Sequence, residues 1–322
     1  MEAQSISARK RLKACSGSPY EPEPPVKSRL VNVAMTVAPF LGFAGAASPH
    51  VSGAPATLRV AWEYQAAPAF WESVAPFASI RLLDGKEVLD VGCGWGGKMI
   101  YFAEHSDLKT ICGFDLPGVY DPQVSIRFAG EKAVDRCFYT TGRAEEMPYP
   151  NSSFDLLLME DVLEHVADPA RVLAECGRVL RPGGTVLIKF PSFKHMFAHH
   201  LDRALGLPAL HYLLSMKTWA GGLNYLRLHA SKDFSYEPFD EVAATRYHPC
   251  ITRNLNGLDF DSFREIIDHL PFHARVLTLV PYPARGPRRR FVKAVYRTGF
   301  RISSLREFLA SFVLFVGEKG AR

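Results

Sequence analysis

The run Val88-Leu89-Asp90-Val91-Gly92-Cys93-Gly94-Trp95-Gly96 constrains the fold of this chain more than any other stretch. It reads as a short buried strand that passes without a spacer into a Gly-x-Gly-x-Gly turn. Glycines at such a turn let backbone N–H groups come close to a ligand, and a helix opening next turns its positive end the same way. Units of this kind build an open parallel sheet with helices on both faces.

The rest of the chain repeats the alternation. A helix is expected over residues 66–80, a strand over 87–92, a helix over 96–105 and a strand over 110–114 ending at Asp115. A helix over 123–134 and strands over 137–141 and 154–159 follow. Residues 169–180 form an amphipathic helix, with Asp168 as N-cap, Pro169 at its first position and Val172, Leu173, Cys176, Val179 and Leu180 on one face. Arg181-Pro-Gly-Gly184 opens a strand over 185–190. A helix over 259–270, a strand over 274–280, a helix over 288–298 and a strand over 309–316 complete the pattern. The stretch 191–256 is longer than an ordinary loop. At the carboxyl end of a strand it reads as a substrate lid. The division expected is an N-terminal arm, partly disordered or apolar, over residues 1–65, then one domain over 66–322 with the lid inside it.

Charge and cysteine use bound the partners. The net charge is +5, and residues 285–301 carry seven basic side chains and no acid. A mildly acidic body with basic extremities argues against a nucleic-acid binder; residues 288–301 are most simply a solvated helix face, although they are amphipathic and able to lie on an anionic membrane. Six cysteines without a Cys-x-x-Cys pair point to a reducing, cytoplasmic setting and to no zinc site. Residues 30–47 are apolar and uncharged, at the lower limit for crossing a bilayer, but Pro39, Gly42 and Gly45 weaken that reading. An arm packed on the domain or its ligand is the plainer one.

Two acids narrow the ligand. Asp115 stands at the end of the second strand, 21 residues after Gly94, where a carboxylate can accept both hydroxyls of a ribose. Asp90 stands two residues before the first glycine, where it would repel a phosphate and suit a cationic amino acid. The third glycine of a dinucleotide fingerprint is missing. A nucleoside carrying an amino-acid tail fits both departures. The plain alternatives are a tight turn at Gly92 and Gly94 and a helix cap at Asp115.

With these residues the chain resembles the class I S-adenosylmethionine-dependent methyltransferases. The resemblance rests on Leu89-Asp-Val-Gly-Cys-Gly-Trp-Gly96, Asp115, Gly142-Arg-Ala-Glu-Glu-Met-Pro148, Ser153-Phe-Asp155, Leu163-Glu-His-Val166 and Arg178-Val-Leu-Arg-Pro-Gly-Gly184. It implies a doubly wound, seven-stranded α/β Rossmann-like sheet with an antiparallel last strand and the lid after the fifth strand. It also implies S-adenosyl-L-methionine as cofactor. Gly92 and Gly94 would line its methionine and ribose, Asp90 would orient its ammonium and Asp115 would bind the ribose hydroxyls. Ala144 and Glu145 would lie at the adenine, covered by Leu116. Where the family pattern resembles Gly-Asp-Ala-Glu, this chain has Arg143, so an acidic contact to the adenine amino group is either missing or supplied by Glu145.

The implied reaction is methyl transfer to a small-molecule or lipid-like acceptor, O-methylation being favoured. The small-molecule type is similar to the ubiquinone- and menaquinone-biosynthesis enzymes. In ubiquinone O-methyltransferases a run like Asp161-Val-Leu-Glu164-His165 is associated with a divalent metal, but Leu-Glu-His-Val also occurs in members that need none, and no metal is expected here. Imidazole titrates near neutrality, so His165, His199 and His200 are the candidates for removing the acceptor's proton. His195, His211 and Asp202 lie in the same insertion. Trp62, Tyr64 and Trp71 could wall the ligand, though core packing is the plainer reading. A cofactor-binding or membrane-associated partner protein without turnover is the alternative function.

Overall fold

Strand β1 (Glu87–Val91) is buried along nearly its whole length, as a strand covered on both faces must be. It lies parallel between β2 (Thr110–Asp115) and β4 (Phe154–Glu160). Beyond β2 runs β3 (Cys137–Thr141), and beyond β4 runs β5 (Leu180–Phe190), both again parallel. The last strand, β7 (Ala310–Lys319), enters antiparallel between β5 and β6 (Phe272–Pro281). The sheet thus has seven strands in the order β3-β2-β1-β4-β5-β7-β6. Strand order reverses between β1 and β4, which opens a crevice at the carboxyl ends of the strands. This computed structural model describes residues 56–117, 122–196, 198, 255–281 and 298–320.

Side-chain alternation along the strands builds two apolar layers. Val88, Leu156 and Leu187 face α1 (Ala56–Val74) and α2 (Gly97–His105), meeting Val60, Phe70, Trp71, Met99 and Phe102. Leu89, Leu157, Val186 and Ile188 face the other way. There they meet Val172, Leu173 and Cys176 of α5 (Pro169–Val179) and Phe263 and Ile267 of α6 (Phe260–Asp268). The expected N-cap of α5 is present: Asp168 Oδ1 accepts from Arg171 N at 3.0 Å.

Several boundaries differ from expectation, each for a local reason. Helix α1 begins at Ala56 rather than at residue 66 and continues through Pro68. The ring forgoes one helical hydrogen bond, but Val60, Glu63, Ala67, Phe70, Trp71 and Val74 are buried at helical spacing, and that packing outweighs the loss. The helix expected over 123–134 is two short ones, α3 (Pro122–Phe128) and α4 (Glu131–Val134), separated at Gly130. Strand β5 starts at Leu180, ahead of the Pro-Gly-Gly run. That run forms an irregularity between the Phe154↔Leu180 and Leu156↔Thr185 pairs, with Gly183 at φ +75°. Arg181 anchors it by pairing with Asp155 at 2.8 Å and Glu87 at 2.5 Å. A helix, α7 (Ser303–Leu309), leads into β7.

The arm up to residue 55, nearly all of the helix expected over 288–298 and most of the lid lie outside the described residues. No described helix is long and apolar enough to cross a membrane.

Candidate active site

The turn after β1 is built by backbone conformation. Gly92, Gly94 and Gly96 all have positive φ, at 76°, 58° and 78°, a region costly to residues with a Cβ. Close approach also demands glycine here: a Cβ on Gly92 would sit 2.0 Å from Val162 Cγ2 in the loop after β4. One on Gly94 would sit 2.6 Å from Glu63 Oε1. Gly92 N donates to Phe114 O at 2.7 Å, which ties the turn to β2.

The positive end of α2 does not stand open, as the sequence suggested. Glu63, reaching over from α1, accepts from Trp95 N and Gly97 N, each at 2.9 Å. Burial pushes this carboxyl up, against the pull of the two N–H groups and Lys98. Sequence reading missed Glu63, because a single acid between Trp62 and Tyr64 gives no sign that it caps a helix more than thirty residues away.

Asp115 closes the turn from the other side. Its Oδ2 accepts from Gly94 N at 2.9 Å and its Oδ1 from Leu116 N at 2.7 Å. Gly142 N donates to Asp115 O at 3.0 Å, bringing the loop after β3 alongside. In that loop Ala144 packs against the core and Glu145 Oε1 accepts from Ala167 N at 3.3 Å. Arg143 points to solvent, 69% exposed. Leu116 is 50% exposed beside Asp115, an apolar surface free to cover a flat ring.

A set of charges lies inward of the turn. Asp90 is buried, and burial lifts its carboxyl to about 7, with Lys98 opposing the shift and Glu160, Glu63 and Asp115 adding to it. Glu160, at the end of β4, bridges Lys98 Nζ at 2.5 Å and Lys189 Nζ at 2.7 Å. The two ammonium groups hold Glu160 at about 2 in spite of its burial. Lys98, Glu160 and Lys189 were not singled out from the sequence, although a lysine inside the apolar run Val186-Leu-Ile-Lys-Phe190 is a usable sign of an inward charge.

The loop after β4 borders the same crevice. Asp161 has φ 55°, a strained value for a residue other than glycine. Glu164 is buried, and His165 Nε2 lies 3.7 Å from its Oε1. Among the described residues, no three His, Cys, Asp or Glu side chains converge to hold a metal ion. His195 is buried, whereas His199 and His200 lie outside the described residues. Tyr64 and Trp71 do not wall a ligand. The Tyr64 hydroxyl donates to Glu104 at 2.7 Å, and Trp71 packs edge-on against Phe70 and Phe102.

The sequence of this chain is similar to those of known proteins. A family described as a methyltransferase domain matches residues 89–188, from β1 to near the end of β5. The tRNA U34 carboxymethyltransferase of Campylobacter curvus is 34% identical over 229 residues, 69% of this chain and 72% of that protein. The sterol 4-C-methyltransferase of Caenorhabditis elegans is 29% identical over 142 residues, 41% of this chain and 42% of that protein. The 27-O-demethylrifamycin SV methyltransferase of Amycolatopsis mediterranei is 31% identical over 114 residues, 34% of this chain and 40% of that protein. This chain thus spans about two fifths of the length of the latter two.

Proposed function

We propose that this chain, which belongs to the class I S-adenosylmethionine-dependent methyltransferases, transfers a methyl group to a hydroxyl oxygen of a small or lipid-like molecule held beneath the insertion after β5. The observation that carries the reading is a glycine turn and an acid at the ends of neighbouring parallel strands, beside a mostly apolar recess over β4 and β5.

The residues present fit the cofactor. Asp115, which stands at the carboxyl end of β2 and is held beside the glycine turn by Gly94 N and Leu116 N, would take the ribose hydroxyls, and Leu116 with Ala144 and Glu145 would border the adenine. Gly92 and Gly94 would line the methionine and ribose, and Asp90 would meet the ammonium. When bound, the cofactor supplies a methyl group already electrophilic on a sulfonium sulfur. The chain's own tasks are to align the acceptor, keep water out and receive a proton. His165, His199 and His200 are proposed for that proton. Turnover, rather than binding alone, is what membership of this enzyme family supports. The basic stretch 285–301 would bring the enzyme onto an anionic membrane in the cytoplasm, where lipid-like acceptors lie.

The Asp90 assignment has a signed pH dependence. Its carboxyl is raised to about 7, so below that pH the free protein holds a proton that an incoming ammonium must expel. Cofactor affinity should therefore rise with pH, by up to about tenfold per unit, and level off above neutrality. Calorimetric titration across neutrality checks this, and Asp90→Asn should flatten the slope.

A second reading comes from the Campylobacter enzyme, whose name gives tRNA as its substrate. Incubation with methyl-labelled cofactor and two pools, a total lipid extract and purified tRNA, separates the two. Label in the lipid phase as an alkali-stable ether is expected. Label confined to the tRNA would overturn the proposed acceptor.

A further inference from the structure

The carboxyl of Glu164 stands where a protein rarely leaves one. The residue is 3% exposed, and neither Oε1 nor Oε2 has a hydrogen-bond partner among the described residues. Buried polar groups are nearly always partnered, and an exception calls for a reason. The groups facing it do not supply one. His165 Nε2 lies 3.7 Å from Oε1, beyond hydrogen-bonding reach. Asp161 and Glu160 act on it as negative charges, while its own backbone N–H and Lys189 favour the charged form.

Its position is well defined. Val162, two residues earlier, packs on Gly92 of the cofactor turn. Asn256, where the insertion returns to the sheet, donates from its backbone N to Glu164 O at 2.9 Å, and from Nδ2 to Leu163 O at 2.7 Å and Val166 O at 2.9 Å. These bonds fix the loop against the returning insertion. Between them is a narrow recess. Glu164 lines it together with Pro191, Phe193, Ala198, Leu255, Gly257 and Leu258. Every other lining residue is apolar or glycine, so one carboxyl faces an apolar space at the carboxyl ends of β4 and β5.

We propose that Glu164 hydrogen-bonds the hydroxyl group of an otherwise apolar acceptor, and so selects an apolar alcohol over a hydrocarbon of the same shape. The inference rests on the proposed acceptor class and adds the residue that reads it. Burial and the neighbouring acids push the Glu164 carboxyl well above the usual carboxylate range. A neutral carboxyl both donates and accepts, which matches a hydroxyl. The same shift has a stability consequence. With its folded value above its unfolded one, the group lowers stability as pH rises out of the ordinary carboxylate range.

The test uses the full chain saturated with S-adenosylhomocysteine, with cyclohexanol and methylcyclohexane as probes observed by NMR. The wild type should bind cyclohexanol about tenfold more tightly than methylcyclohexane, roughly the discrimination expected of one hydrogen bond. Glu164→Gln, which still donates and accepts, should keep the preference, and Glu164→Leu should reverse it. Both variants should melt above the wild type, with a wider gap at about pH 8 than at about pH 6. No preference in the wild type, a retained preference in Glu164→Leu, or lower melting of both variants would each overturn the role of Glu164. Failure of the methyl-transfer reading shows separately, as wild-type protein that labels neither lipid nor tRNA.

Discussion

Alanine in place of Asp115 is expected to weaken S-adenosylmethionine binding by at least about a hundredfold. A hydrogen bond to a charged acceptor contributes about 1.5–3 kcal/mol, and under the proposed assignment two ribose hydroxyls would be lost together, so the combined effect is roughly 10²–10⁴ in affinity. The backbone adds to it. Gly94 N and Leu116 N both donate to this carboxylate, so its removal also loosens the turn that presents the site. Asp115→Asn should fall between, because one carbonyl oxygen remains. Calorimetry measures the affinity and thermal melting shows that the sheet persists. An alanine variant with wild-type affinity would place the ribose elsewhere.

Leucine in place of Glu160 is expected to produce the largest loss of stability. Its carboxylate bridges Lys98 and Lys189, and the three side chains are 16%, 24% and 14% exposed. Removing one member of such a buried set leaves uncompensated charge, at a cost of about 3–5 kcal/mol. For a sheet of this size that lowers the melting temperature by about 10 °C. Lys189 keeps some support from the rings of Phe312 at 4.7 Å and Phe70 at 5.7 Å. Changing Lys98 and Lys189 to methionine in the same protein should restore most of the loss, since apolar residues of similar volume replace buried ions well. The pH sign is opposite to that of Glu164. Glu160 is held at about 2, below its ordinary value, so its contribution is complete above the usual carboxylate range and fades as pH falls toward 2. Wild type and variant should therefore converge in acid.

These cases mark what the sequence discloses. The glycine turn, Asp115 and the alternation of elements are local patterns, readable from neighbours a few residues apart. Helix α1 begins ten residues before the expected start because the burial of Val60 and Glu63 that extends it depends on packing against α2. The Pro-Gly-Gly run likewise reads as the turn before a strand, and only pairing with β4 shows that β5 is already under way at Leu180. Glu63 and Glu160 escaped for a stronger reason. Their partners lie 32 and 34 residues away for Glu63, and 62 and 29 for Glu160, and no periodicity spans such distances. Glu164 was legible as part of Leu163-Glu-His-Val166, but its lack of a partner was not.

The most direct measurement is a titration of S-adenosylmethionine into the wild type and Gly92→Val. Valine at a φ of 76°, with its Cβ aimed 2.0 Å from Val162, cannot enter without moving the loop after β4. The wild type should bind at one saturable site, and the variant should show no binding while still melting cooperatively. Equal affinity in the two proteins would contradict a cofactor site on the turn after β1.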